Sequence, residues 1–277
     1  MTKDPKTAVR RPRRPGRTSG LPALLLPVAA LGAIFLGLPV VGLLTRTPWT
    51  TLLDVLTRPE SLTALRLSLV CATSATFLCL VLGVPLAWLL ARGDFPGRSL
   101  LRAVVTVPLV LPPVVGGVAL FAALGRTGLV GRPLDQVFGI TLPFTTAAVV
   151  VAEAFVAMPF LVIVVEGSLR GADRRYDEAA ATLGASRWYT FRRVTLPLVA
   201  PGVAAGAVLC WARALGEFGA TITFAGSFPG TTQTMPVAVY LALQQDPPAA
   251  IALSVVLLVV SVGVLGLLRE RWLPTAA

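Results

Sequence analysis

The segment Glu178–Pro197, EAAATLGASRWYTFRRVTLP, decides the fold because it separates two long apolar runs. The run before it, Leu142–Val165, contains one charged residue, Glu153, and the run after it, Leu198–Leu215, contains one, Arg213. A helix needs about 20 apolar residues to cross the hydrocarbon core of a bilayer. The segment is therefore predicted to be a polar loop that connects two membrane-spanning helices.

Outward from this loop, four further runs are apolar, uncharged and of similar length. The six predicted spans are Leu21–Leu44, Leu67–Leu90, Ala103–Leu124, Leu142–Val165, Leu198–Leu215 and Ala249–Leu268. The predicted fold class is all-α, a polytopic transmembrane bundle of six helices. The first run is too long for the apolar region of a signal peptide and lacks a small-residue cleavage site, so we interpret it as an uncleaved helix.

The composition excludes most enzyme chemistry. Of 277 residues, 55% are hydrophobic and 13% charged, against about 25% charged in an average protein. Histidine is absent, and lysine occurs only at Lys3 and Lys6, so a nucleotide-binding P-loop and a pyridoxal lysine in the core are both excluded. Cys71, Cys79 and Cys210 lie in apolar runs and are interpreted as packing residues. We expect no catalytic residue, metal site or cofactor.

The distribution of basic residues predicts the orientation. Lys and Arg concentrate in the leader, the second-to-third loop, the fourth-to-fifth loop and the C-terminal tail. The opposite side carries only Arg46, Arg58, Arg66, Arg126 and Arg132. Cytoplasmic loops of membrane proteins carry the excess of basic residues, so both termini are predicted to be cytoplasmic. Topology thus accounts for the net charge of +11, and no nucleic-acid partner is needed. The predicted location is the cytoplasmic membrane, crossed several times.

The chain divides into four predicted regions. Residues 1–20 form a cytoplasmic basic tail, 21–60 the first span and an outer amphipathic helix, 61–270 the main transmembrane domain with the loop 167–197, and 271–277 a cytoplasmic tail. The outer helix is predicted to start at Thr47-Pro48-Trp49. Its apolar residues, Trp49, Leu52, Leu53 and Leu56, have helical spacing, typical of an interfacial anchor.

The third span contains helix breakers, namely Pro108, Pro112, Pro113, Gly116 and Gly117. Each proline removes a backbone donor and bends a helix. Broken helices occur at membrane depth only where they are buried in protein or line a cavity. The breakers are therefore candidates for a gate, with a kink that serves packing alone as the alternative.

The fifth span combines small and charged residues. Gly202 and Gly206 have the spacing that allows close helix approach. Arg213 and Glu217 lie four residues apart and are predicted to share a helix face, with Glu153 as a third member. A structural charge cluster, an anion path through Arg213, and a position near the outer interface without either role remain alternatives.

The polar loop is predicted to hold two short helices. Asp173 can cap a helix through residues 177–183, Gly184 interrupts it, and Ser186 can cap a second helix, 187–194, before Pro197 starts the fifth span. Neither helix is needed for packing of the spans. The first offers small residues and Glu178 to a cytoplasmic partner.

The spacing Glu178-Ala179-Ala180-x3-Gly184-x9-Val194-x-Leu196-Pro197 resembles the EAA loop of ABC-importer permeases, from which it departs by Val for Ile. The resemblance covers residues 60–270. It implies a permease that pairs with a second copy, binds a dimer of ABC ATPase subunits and receives substrate from an external oxyanion-binding protein. Glu178, Ala179, Ala180, Gly184 and Pro197 would belong to the ATPase-coupling element. ATP hydrolysis would then belong to the partner, and this chain would not be an enzyme.

Two later segments, 212–226 and 229–236, resemble the molybdate permeases of that family. The resemblance implies molybdate or tungstate as substrate, with sulfate or thiosulfate as the alternative, since those permeases share the Arg-x-x-Gly-Glu part. An ion-driven secondary transporter is a different alternative, but the internal repeats usual in that class are not visible. A membrane-embedded enzyme or scaffold is a further one, for which catalytic candidates are scarce.

Overall fold

A computed structural model describes residues 25–173 and 175–272 of the chain, and their regular structure is helical throughout. The predicted tails, 1–20 and most of 271–277, lie outside these residues. The helices are α1 Leu25–Thr45, α2 Leu52–Thr57, α3 Pro59–Arg92, α4 Arg98–Val110, α5 Pro113–Leu124, α6 Gly131–Phe138, α7 Thr146–Gly171, α8 Arg175–Thr182, α9 Arg187–Thr190, α10 Leu196–Leu215, α11 Gly219–Phe224, α12 Met235–Gln245 and α13 Pro247–Trp272, with a π-helical turn at Phe191–Thr195.

The chain forms two compact units that divide after Arg46. In the first unit, α1 is a single apolar helix of 21 residues, long enough to cross a membrane. In the second unit, α3, α7, α10 together with α9, and α13 are also long and apolar enough to cross a membrane. Five of the six predicted spans therefore correspond to such helices in the described part of the chain.

The third predicted span is not one helix. It is divided into α4, with 13 residues, and α5, with 12, so that at 1.5 Å per residue each is about 20 Å long or less. The break lies at Leu111 and Pro112, both extended, with ψ of 130° and 135°. Each of them precedes a proline, whose ring excludes helical backbone in the residue before it. Pro113 then occupies the first turn of α5, where a missing N–H costs nothing.

The core of the second unit consists of α3, α7 and α10, which pack through small side chains. Buried alanines and cysteines dominate it, among them Ala75 and Cys79 of α3, Ala157 of α7, and Cys210 of α10. Small residues let helix backbones approach closely in membranes, where the hydrophobic effect does not drive helices together. All three cysteines are buried free thiols, which confirms their interpretation as packing residues.

The glycines of the fifth span contact α7 of the same chain. A Cβ at Gly202 would overlap the Ser168 side chain, and a Cβ at Gly206 would lie 3.2 Å from Leu161. The predicted close approach at Gly202 and Gly206 is therefore present, and it is intramolecular.

The outer helix differs from its prediction. It begins at Leu52 rather than at Thr47-Pro48-Trp49, because residues 48–51 form turns. Val55 is its buried residue and packs in a cluster with Ala64, Met235 and Leu253 of α3, α12 and α13. Leu53, predicted to lie on the apolar face, is 71% exposed. One turn of helix has room for only one buried position, and Val55 occupies it.

The contact between α5 and α11 depends on Gly117. A Cβ there would lie 2.7 Å from the Thr223 Cβ and 2.9 Å from the Ala220 carbonyl oxygen, whereas a Cβ at Gly116 would lie 3.4 Å from Phe155. Both positions gain about 1 kcal/mol of helix propensity on replacement by alanine. Only at Gly117 would the added methyl group also push the backbones of α5 and α11 apart, which typically costs about 1–3 kcal/mol.

We therefore expect Gly117→Ala to lower the thermal unfolding temperature of the purified protein and Gly116→Ala to leave it unchanged or raise it. Thermal unfolding in detergent, followed by fluorescence, measures both variants. Equal stability of the two would show that α5 and α11 are not held at this distance.

Candidate functional site

The helix α8 carries the residues of the predicted coupling element. The Asp173 carboxylate accepts a hydrogen bond from the Arg175 N–H at 2.9 Å, so that this residue caps the helix as predicted. The helix ends before Gly184, whose φ of +81° is a left-handed conformation that glycine adopts without strain. The Ser186 hydroxyl then accepts from the Tyr189 N–H at 3.3 Å and caps the next helix.

Pro197 lies at the start of the fifth span as predicted, but the second short helix is continuous with that span rather than separate from it. Helical structure continues from Arg187 to Leu215 through the π-helical turn, and Pro197 lies in the first turn of α10, after that turn. A proline at that position has no N–H to contribute, so the wider π-turn accommodates it without ending the helix. The loop therefore contains one free-standing helix, α8, and an extension of α10.

The side chains of α8 are mostly exposed. Glu178 and Ala179 are exposed, and Ala180 is half-buried. No hydrogen bond or ion pair holds the Glu178 carboxylate among residues 25–173 and 175–272. The predicted coupling residues Glu178, Ala179 and Ala180 thus lie together on one helix, with Gly184 two residues after its end and Pro197 in the first turn of α10.

Asp177 attaches α8 to the rest of the molecule. Its carboxylate lies 3.6 Å from the Arg92 guanidinium at the end of α3 and accepts a hydrogen bond from the Thr195 hydroxyl at 2.8 Å. Arg92 also donates to the carbonyl of Ala172, after α7, at 3.2 Å. The Asp177 carboxylate therefore joins α8 to the end of α3 and to the turn before α10, and Arg92 connects this contact to the end of α7. Sequence reasoning missed this residue because nothing in its spacing connects it to Arg92, 85 positions earlier.

A second carboxylate joins α4 to α7 near the same end of the bundle. Glu166 of α7 is 7% exposed and lies 2.6 Å from the Arg102 guanidinium of α4 and 2.7 Å from that of Arg170. Arg98 donates from Nε to the Leu90 carbonyl at 2.9 Å. The first half of the broken third span is thus tied to α3 and α7.

A pocket of about 360 Å³ lies between α8 and the helices to which it is attached. Its lining includes Trp88, Arg92, Asp177, Glu178, Arg187 and Phe191. The exposed Glu178 and the ion-paired Asp177 and Arg92 therefore line the same pocket.

The predicted intramembrane charges are brought together. Arg213 and Glu217 form an ion pair at 2.7 Å, and the Glu217 side chain is 1% exposed. Glu217 lies beyond the end of α10 rather than on its face, because the helix stops at Leu215, and its second oxygen accepts from the Ala220 N–H at 2.7 Å. Glu153 is also 1% exposed and interacts electrostatically with Glu217. The pairing of Arg213 is what a structural cluster requires, and a role in an anion path remains a prediction.

The candidate gate residues divide between two places. Pro108 lies inside α4, and Pro112 and Pro113 form the break before α5. Gly116 and Gly117 are buried, the first beside Phe155 of α7 and the second against α11. The break thus separates a half-helix tied to α7 from one packed on α11. Among the described residues, no group of three or more metal-ligating side chains is arranged to hold an ion.

Residues 83–273 match the protein family described as binding-protein-dependent transport system inner membrane component. The molybdenum transport system permease protein ModB of Mycobacterium tuberculosis is 49% identical over 241 residues, 87% of this chain and 91% of the relative. ModB of Escherichia coli is 42% identical over 219 residues, 79% and 95% of the two chains. The sulfate transport system permease protein CysT of Salmonella typhimurium is 38% identical over 239 residues, 86% and 83%.

Solved structures share the fold at low identity. A chain of a bacterial alginate ABC transporter, in complex with an alginate pentasaccharide-bound periplasmic protein, has a TM-score of 0.71 and 18% identity, with 90% of this chain and 92% of that chain covered. A chain of the MetNI methionine ABC transporter has a TM-score of 0.57 and 17% identity, with 75% and 92% covered. With its long apolar helices and this fold, the chain is an integral membrane protein that belongs to the binding-protein-dependent transport system inner membrane components, the permeases of ABC importers.

Proposed function

We propose that this chain is the permease subunit of an ATP-driven importer that moves molybdate, and tungstate alongside it, across the cytoplasmic membrane. The observation that carries the proposal is the 49% identity to a molybdenum transport permease over 87% of this chain. Sulfate is the second candidate substrate, because the sulfate permease of Salmonella typhimurium is 38% identical over a similar length. Both substrates are tetrahedral oxyanions with two negative charges.

The proposed partners follow from the same family. A separate ABC ATPase dimer supplies the energy, an external oxyanion-binding protein delivers the substrate, and a second copy of this chain completes the pathway. Each subunit crosses the membrane six times, with α4 and α5 together as the third crossing and both termini in the cytoplasm. The concentration of basic residues in alternate loops supports this topology. A reporter fused after Ala277 tests it, and an external reading there contradicts it.

The proposed coupling element is α8. Its exposed Glu178 and small neighbours fit a cleft on the ATPase, while Asp177 ties the helix to α3 and to the start of α10. A displacement of α8 is thereby passed to α3, α7 and α10, which share one core. Because Glu166 holds α4 to α7, the first half of the third crossing moves with that core. The break at Pro112 is where this motion can bend the pathway.

The substrate is tested by uptake into vesicles that contain the permease, its ATPase and the binding protein. We expect ATP-dependent uptake of radioactive molybdate that excess tungstate abolishes and equimolar sulfate leaves nearly unchanged. Without ATP there should be no uptake, which separates this mechanism from an ion-driven transporter. Sulfate uptake that molybdate fails to inhibit would reassign the substrate to sulfate.

The coupling role is tested by Glu178→Lys. Reversing a charge that meets a basic group or a helix N-terminus of the ATPase should weaken association by about 2–5 kcal/mol, as for other interface charge pairs. We therefore expect loss of ATPase co-purification and of transport, while the permease remains inserted and dimeric.

The matched control is Glu60→Lys, which makes the same change at an exposed glutamate in the first turn of α3. It should leave ATPase co-purification at the wild-type level. Retention of the ATPase by both variants would show that α8 does not dock on it.

A further inference from the structure

A second exposed surface lies beside α8, on the extension of α10. Five consecutive or nearly consecutive residues are exposed there: Arg187, Trp188, Tyr189, Arg192 and Arg193, which we call the basic-aromatic face. Trp188 is 69% exposed and Tyr189 57%. Each of these aromatic residues has an arginine four positions later, about one turn along the helix. The contacts of Asp177 do not use any of the five residues.

An apolar groove adjoins this face. It has a volume of about 240 Å³ and is lined by Pro85, Trp88, Arg187, Trp188 and Phe191. The Trp188 ring stacks on Phe191 with 5.7 Å between centroids, and Trp88 meets Phe191 edge to face at 6.1 Å. These ring contacts make one side of the groove apolar, with the Arg187 guanidinium at its edge.

The helices place the groove at the boundary of the membrane. The basic-aromatic face belongs to the same continuous helix as α10, and Arg193 lies three residues, about 4.5 Å, before the first residue of α10. Pro85 lies seven residues, about 10 Å, inside the end of α3, itself a membrane-crossing helix. The headgroup layer on each side of a bilayer is about 5–8 Å thick. With the membrane boundary placed at the start of α10, the groove lies at the headgroup layer.

The charge of the face is not neutralised within the chain. No ion pair joins Arg187, Arg192 or Arg193 to an acid in the part of the chain that the structure describes. The neighbouring Asp177 is occupied by Arg92 and Thr195. Arg187 at the edge of the apolar groove, together with Arg192 one turn after Trp188, is complementary to an anionic headgroup with an acyl chain attached. Tryptophan and tyrosine are also the residues that membrane interfaces favour.

We propose that the groove and the adjoining part of the basic-aromatic face are a binding site for an anionic phospholipid of the adjacent leaflet, whose phosphate is held by Arg187 and Arg192 and one of whose acyl chains lies in the groove. The lipid would stabilise the start of α10. The Thr195 hydroxyl, just before that helix, binds Asp177 of α8. The identification of this leaflet as cytoplasmic rests on the proposed function. Lipid contact itself can be measured without transport, so the two proposals can fail separately.

The test uses the complete complex of permease and ATPase in phosphatidylcholine vesicles that contain brominated phosphatidylglycerol or, in parallel, the same amount of brominated phosphatidylcholine. Bromine quenches tryptophan on contact, and the emission lost in Trp188→Phe isolates the Trp188 signal. We expect brominated phosphatidylglycerol to quench this signal at a concentration on the order of tenfold lower than brominated phosphatidylcholine.

The double variant Arg187→Gln, Arg192→Gln should abolish that preference. The control Arg126→Gln, Arg132→Gln neutralises two other exposed arginines, one in the turn after α5 and one in α6, and should preserve it. Equal quenching by the two brominated lipids would overturn the proposal. Quenching of Trp188 only after the ATPase is removed would also overturn it, and would assign the face to ATPase docking.

Discussion

The contacts of the Asp177 carboxylate hold the proposed coupling helix to the membrane domain. Among the described residues, they are the ion pair and the side-chain hydrogen bond that join α8 to other helices. Arg92 and Thr195 give the carboxylate one partner on α3 and one at the root of α10. The Arg92 side chain is 11% exposed and that of Asp177 31%, so solvent screens their attraction less than it screens a surface pair. A force on α8 is therefore delivered to two membrane helices at once.

The two halves of the broken third crossing are attached to the bundle in different ways. Arg102 and Glu166 attach α4 to α7, whereas α5 is held against α11 by the close approach at Gly117. Between these two attachments the chain is extended at Leu111 and Pro112 and makes no helical hydrogen bonds across the break. Because α5, α7 and α11 share one buried cluster, both halves of the third crossing contact α7, the first through an ion pair and the second through apolar packing. The break at the prolines therefore separates two half-helices that are attached by different interactions.

The sequence predicted much of the molecule because hydropathy, caps and helix breakers are local signals. The apolar runs located the long helices, Asp173 and Ser186 were recognised as caps, and Gly184 as the end of α8. The second short helix was misjudged as separate, because a π-turn joins it to α10 without ending the helix. Glu217 was placed on α10 because the spacing to Arg213 does not reveal that the helix stops at Leu215. Local signals also miss partners far apart in the chain, and for this reason Asp177–Arg92 and Glu166–Arg102 emerged only from the fold.

The most direct test of this account measures molybdate transported per ATP hydrolysed in vesicles that contain the Asp177→Ala permease with its ATPase and binding protein. The exposed side of α8 is intact in this variant, so the ATPase should still bind and hydrolyse ATP, but transport per ATP should fall severalfold. Asp177→Asn, which can still accept from Thr195, should lie between it and the wild type. Asp135→Ala removes a half-buried carboxylate that pairs with Arg126 at 3.2 Å and accepts from Thr141, far from α8 in the chain, and should behave as wild type. An unchanged ratio in Asp177→Ala would contradict the account.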